Sequence, residues 1–298
     1  MDFISYSDES YITAERFRSI CSFSFAASCH DFVTDNIGEI TRRFDISEFK
    51  WEKIKGANYR NCAIQLIDFI VKNHQNIDGR IDVLIWDTHD RRHSIQNRDD
   101  DANFERMFFH LHKTAMKRRP INMRWCIYPD EKMGVDWETV QDCLTAIGQR
   151  REFVPSPLVG DFITDHHYEI LGFSQVESDR NPCCQIADFF AGISVFSRKH
   201  YDGYEIWMRQ QKKSTLPLFL EEDSSGKFSN RERYRFEVLS HFDKCCKQKR
   251  LGVSLKTKRY LSTPNPCYPI NFWHYIPQHE MDKAPVKNRT SFFPTTAW

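Results

Sequence analysis

The sequence predicts an α/β fold: a mixed β-sheet flanked by helices, with an added C-terminal region. Short extended runs at 4–6, 21–28, 81–87 and 122–128 alternate with longer segments whose apolar residues recur at helical spacing. The pattern fades in the last third, where a Pro-rich, aromatic stretch from Leu261 to Trp298 has little periodicity. The expected division is therefore 1–200 for the sheet-containing domain and 201–298 for a helical and loop-rich extension packed on it.

Taken in order, the N-terminus reads as a hairpin. Ile4 and Tyr6 alternate with Ser5 and Ser7 up to Asp8-Glu9-Ser10, and CSFSFAAS then places Cys21, Phe23, Phe25 and Ala27 on one face. Asp31 is a candidate helix cap, followed by a stripe of Phe32, Ile37, Ile40 and Phe44. A short extended piece carries Glu48, Lys50 and Trp51. Helical spacing returns in 58–72, Asp78-Gly79 marks a turn, and IDVLIWD (81–87) reads as a central strand ending on an acid. The segment from Asp99 to Arg119 has acids at its start, bases at its end and Pro120 beyond it, which is the charge order of a helix. NMRWCIY is a further strand, 137–147 a helix, 165–176 one or two strands, 183–197 an apolar helix and 234–247 another helix.

Composition narrows the class. Hydrophobic residues make up 40% and charged residues 28% of 298, with 24 Phe to fill a core. A net charge of +1 creates no global field for a polyanion, although Lys113–Arg119, Arg231–Arg235 and Lys244–Arg259 are locally basic and suited to phosphates. The ten Cys include no CxxC pair. The chain opens without a basic, apolar leader and has no run of roughly 18 apolar residues, so a cytoplasmic protein with reduced thiols and no membrane partner is expected.

Acids stand where apolar residues or strand ends are expected. In CCQIADFFAGISVF (183–196) the one carboxylate is Asp188. An unpaired carboxylate in that setting costs several kcal/mol, so it must meet a cation, a basic group or a polar cleft. A structural use, paired with an Arg or capping backbone, competes with a functional one. Gln185, Asp188 and Gly192 share a helix face. Asp8 and Asp87 end predicted strands, where functional groups of open sheets gather. Hard carboxylate oxygens from distant segments suit Mg2+ or Mn2+, which in phosphodiester cleavage activate water and stabilise the leaving oxygen.

Four motifs in this order resemble the bacterial domain of unknown function 3800 family: YSDES (6–10), Glu48-Phe49-Lys50-Trp51, LIWD ending at Asp87, and Gln185-Ile186-Ala187-Asp188. They span 6 to about 196. The resemblance implies a ribonuclease H-like fold with metal-binding acids that fall, by position, on Asp8, Asp87 and Asp188. It also implies a link to mobile-element or antiviral defence. Tyr11 stands where the family usually has Gly, so the turn after the first strand differs. For a fourth catalytic acid Glu48 fits best, with Glu9 and Asp179 as alternatives.

The expectation is a metal-dependent nuclease with catalytic Asp8, Glu48, Asp87 and Asp188, and with Lys50, His89 and Gln185 at the substrate. The partner would be nucleic acid, DNA or RNA, with a homodimer or a partner protein of a defence system in addition. Glu48-x-Lys50 is also similar to the PD-(D/E)xK nucleases. His89 and His93, four apart, offer transition-metal ligands if helical, against a polar loop as the plainer reading. No P-loop, GxSxG elbow or Rossmann fingerprint is present. The rival class is a non-catalytic binding or scaffold subunit of a defence complex. The aromatics at 272–275 either stack on bases or, more simply, pin an irregular segment to the core.

Overall fold

A computed structural model describes residues 2–10, 16–90, 99–149, 152–154, 162–164, 167–214 and 228–276. Among these, β1 (Asp2–Ser10), β2 (Phe17–Ala26) and β3 (Arg80–Asp87) form an antiparallel meander. β4 (Met123–Pro129) joins the free side of β1 in parallel, and β7 (Tyr168–Phe173) joins β4 in parallel. β8 (Ile270–His274) closes the other side, parallel to β3. The six-stranded order is β7-β4-β1-β2-β3-β8, a mixed sheet compatible with a ribonuclease H-like fold. β5 (Glu152–Val154) and β6 (Phe162–Thr164) pair as a separate hairpin.

Helices cover both faces. α1 (His30–Arg43), α2 (Ala57–Asn73), α5 (Pro182–Lys199), α6 (Tyr201–Ser214) and α7 (Asn230–Gln248) enclose one core with the faces carrying Tyr6, Cys21, Phe23, Phe25, Val83 and Ile85. α3 (Asp100–Lys117) and α4 (Trp137–Gly148) cover Phe3, Ile20, Leu84 and Trp86 on the other side. Double coverage explains why β3 reads as a continuous apolar run: every residue in it is buried. Of the face expected on β2, Cys21, Phe23 and Phe25 lie in the first core with Ile20 in the second, but Ala27 lies beyond the strand, in the short 3-10 turn Ala27–Cys29.

Local signals set most boundaries. Asp99 caps α3 by accepting from the Ala102 amide at 2.9 Å, and Ser229 with Glu232 makes a capping box at α7. α1, however, starts at His30, one residue before the Asp31 expected to cap it. Among the described residues past 200, Phe236, Phe242 and Phe272 lie in the core with Phe23, and β8 joins the edge of the sheet. β8 carries no legible strand pattern in the sequence, because Pro269 precedes it directly and the polar Asn271 interrupts its five residues. Its Phe272 packs in the core.

Candidate metal centre

β4 ends beside Ser7 of β1. Ser7 is paired with Pro129, and the Asp130 amide donates to the Ser7 carbonyl at 2.8 Å, so Asp130 leaves β4 beside Asp8, which stays paired with Cys21 of β2. Asp8 points with Tyr6 to the α5 side, as period-two alternation requires. There α5 brings in Asp188. This helix lies close on the sheet, with Ser19 Oγ donating to the Ala191 carbonyl at 2.8 Å. The three carboxylates line one cavity of about 620 Å3, together with Glu9, Lys50, Trp51, Glu52, Phe17, Gly192, Lys199, His200, Arg231 and Arg235 among others.

Each acid is held by backbone. The Glu9 amide donates to Asp8 Oδ1 at 2.6 Å, the Ser178 amide to Asp130 Oδ1 at 3.0 Å, and the Trp51 amide to Asp188 Oδ2 at 2.6 Å. These bonds are outweighed by burial and mutual repulsion. Burial, then the charges of Asp188, Glu9 and Asp130, push the Asp8 carboxyl far above the usual carboxylate range. Burial also raises Asp130, and lifts Asp188 to about 7 against the Trp51 amide and Lys50. Glu9 is raised by burial too, although Lys132 Nζ pairs with it at 2.7 Å.

Lys50 is the cation whose charge favours the ionised forms of Asp188 and Asp130. Burial alone would lower its pKa, but Glu48 at 2.9 Å, with Asp188 and Asp8 beyond, holds it above the ordinary value. On another wall Arg235 is buried. It donates from Nη2 to the Trp51 carbonyl at 2.9 Å and lies over the Trp51 ring at 5.1 Å. Burial and Arg231 bring its pKa down to about 10, while Glu52 and Asp188 favour its charge.

The donor set fits a hard divalent cation. One oxygen of Asp8, one of Asp130 and the Cys184 sulfur lie within 4.8 Å of one another. Burial and the surrounding acids push the Cys184 thiol upward, and it donates to the Ser7 carbonyl at 3.5 Å, so oxygen supplies the ligands. Clustered carboxylates with raised pKa values are the groups a cation would return to the ionised form.

Several expected residues lie elsewhere. Asp87 is not brought to this cavity. Asp8 is level with Val83 across β2, so Asp87 sits roughly 13 Å further along its strand and roughly 10 Å across the sheet. Its carboxylate is bound in a fork by Arg16 Nε and Nη2 at 2.8–3.1 Å. Burial opposes its charge, but Arg16 and the His89 amide hold its pKa low. His89 is exposed in the turn beside Asp87, away from the acids, and His93 lies outside the described residues. Glu48 is turned to Lys50 and Lys53 and does not line the cavity. Gln185 is a brace: its Oε1 accepts from the Phe49 amide at 2.9 Å and its Nε2 donates to the Ser178 carbonyl at 2.9 Å. It fixes the segment that presents Lys50 and Trp51, and with it the Ser178 loop that holds Asp130.

Sequence reading missed Asp130, although it follows a predicted strand directly (IYPD, 127–130). Arg231 and Arg235, the two ends of one of the basic clusters suited to phosphates, both line this cavity.

No family model matches the chain. Over 300 residues it is 36% identical to the uncharacterized protein ORF2' of Methanothermobacter thermautotrophicus, an alignment covering 96% of this chain and 98% of that protein. It is 33% identical over 293 residues to the uncharacterized protein ORF2 of the same organism, with the same coverage.

Proposed function

We propose that this chain, which belongs to the family of the ORF2 and ORF2' proteins, hydrolyses phosphodiester bonds in nucleic acid with the help of Mg2+ or Mn2+. The observation that carries the reading is the convergence of Asp8, Asp130 and Asp188, from three segments far apart in the sequence, on one cavity where burial keeps their pKa values high. Nothing in a folded core requires three carboxylates, one buried and two half-buried, to line one cavity, and their repulsion opposes folding. A divalent cation reverses that cost.

Asp8, Asp130 and Asp188 would hold the metal, with Glu9 beside them. When bound, it would polarise the phosphate, lower the pKa of a water and neutralise charge on the leaving oxygen. Lys50 stands next to the acids and would hold a non-bridging phosphate oxygen as a point charge. Lys199, Arg231 and Arg235 line the same cavity and supply positive charge for neighbouring phosphates. Phe17 and Trp51, also in the lining, restrict water around the reacting group.

The reading differs in one ligand from what the domain of unknown function 3800 resemblance implies: Asp130 takes the place of Asp87. Incubating the purified protein with DNA and RNA, single- and double-stranded, with Mn2+ and with chelator, tests it. Mn2+-dependent cleavage that Asp8→Asn and Asp188→Asn reduce at least a hundredfold, in folded variants, is expected. Full cleavage in chelator, or in both variants, would sink the proposal, and a folded protein that binds no cation would favour the scaffold reading.

A further inference from the structure

A second convergence lies away from the acidic cavity, where α2 meets α7. Asp68 on α2 faces His241 and Cys245, four apart on one side of α7. Asp68 Oδ1 is 2.7 Å from His241 Nε2 and 3.5 Å from Cys245 Sγ, and the sulfur is 3.3 Å from the same Nε2. In a nucleophile relay the acid and the nucleophile occupy opposite ring nitrogens of the histidine. Here one nitrogen faces both partners, so the trio cannot relay a proton from thiol to carboxylate. Three ligand-type atoms within 4.8 Å of one another are instead the arrangement of a ligand set.

We propose that Asp68, His241 and Cys245 bind a Zn2+-class ion, with a water in the fourth position. Tetrahedral bonds of about 2.0–2.3 Å separate neighbouring ligand atoms by roughly 3.3–3.6 Å. Two of the three separations already match. The third needs Asp68, whose side chain is 54% exposed, to swing out by less than about 1 Å to make room for bonds of that length. Thiolate and imidazole select Zn2+ over Mg2+ and Mn2+, so the site differs in preference from the all-oxygen cluster and stands or falls independently of the cleavage reading. The ion would tie α7 to α2. Because Ser229, Arg231, Glu232 and Arg235 at the start of α7 line the acidic cavity, it would also fix one wall of that cavity.

Cobalt titration of the chelator-treated full chain tests the proposal. One equivalent of Co2+ should produce a thiolate-to-cobalt charge-transfer band that Zn2+ abolishes. Cys245→Ser should remove the band and His241→Ala should weaken Co2+ binding at least tenfold, whereas Cys184→Ser, at the acidic cavity, should keep it. Zn2+ should raise the Tm of the unmodified chain but not that of Cys245→Ser. A folded protein without the band, or a band that survives Cys245→Ser, overturns the proposal. If Cys245→Ser does not fold, Asp68→Asn at its exposed position decides, and unchanged Co2+ affinity there overturns it equally.

Discussion

The backbone amide of Trp51 donates a 2.6 Å hydrogen bond to Oδ2 of Asp188, joining the 3-10 turn Trp51–Lys53 to the middle of α5. That contact exists because Gly192, one turn further along α5, leaves room for the Trp51 side chain. A Cβ on Gly192 would stand 2.3–2.5 Å from Trp51 Cβ, Cγ and Cδ1, closer than any packed pair tolerates. Gly192→Ala should therefore displace Trp51, destabilise the protein by about 1–3 kcal/mol and weaken Mn2+ binding. Chemical denaturation and calorimetry on the same samples measure both effects.

Stability without metal should fall as pH rises. The folded Asp188 carboxyl titrates near 7, against 3.8 for the free group. Between those values the folded state keeps a proton that the unfolded state has released. The contribution is thus fully present below 3.8 and lost as pH rises through about 7, and Asp8, raised for the same reasons, acts in the same direction. Asp188→Asn should flatten the Tm profile between pH 4 and 8 in chelator. At pH 8 it should stabilise the metal-free protein on the order of 1 kcal/mol, about 2–4 °C in Tm. A variant that melts lower than the parent at pH 8 contradicts the assignment.

Asp188 and Asp8 were legible in the sequence, Asp130 was not, and the difference is physical. A carboxylate inside an apolar helix carries its own signal, because burial of charge demands a partner. A strand ending in an acid signals only that the acid is at an edge of the sheet. Both IWD at β3 and IYPD at β4 meet that description. The choice between them depends on strand order, and period-two alternation shows that a segment is a strand without showing its neighbour. β4 lies beside β1, whereas β2 separates β3 from it. The fold class followed from the alternation itself, while short β8 escaped because five residues next to a proline carry little pattern.

Asp82 is the acid for which the structural reading holds. It is fully buried in β3 and paired with Arg80 at 3.2 Å and Arg118 at 2.6 Å. Asp82→Ala strands two arginines and should cost about 3–5 kcal/mol in urea unfolding. Metal affinity in the fraction that folds should be unchanged.

Lys50 should separate binding from turnover. It touches Glu48 and sits beside Asp8 and Asp188 without being a ligand. Lys50→Met should leave Mn2+ bound at least as tightly, since a cation next to the site is removed, yet slow cleavage roughly tenfold or more through the lost phosphate contact. Single-turnover kinetics at saturating Mn2+ read this directly.

The central claim is that Asp130, with Asp8 and Asp188, forms the metal site and that Asp87 does not. Mn2+ titration calorimetry on the parent, Asp130→Asn and Asp87→Asn decides it. Asp130→Asn should lose at least tenfold in affinity, and Asp87→Asn should match the parent while giving up only the stability of its Arg16 pair. Unchanged affinity in Asp130→Asn, or a loss confined to Asp87→Asn, would contradict the account.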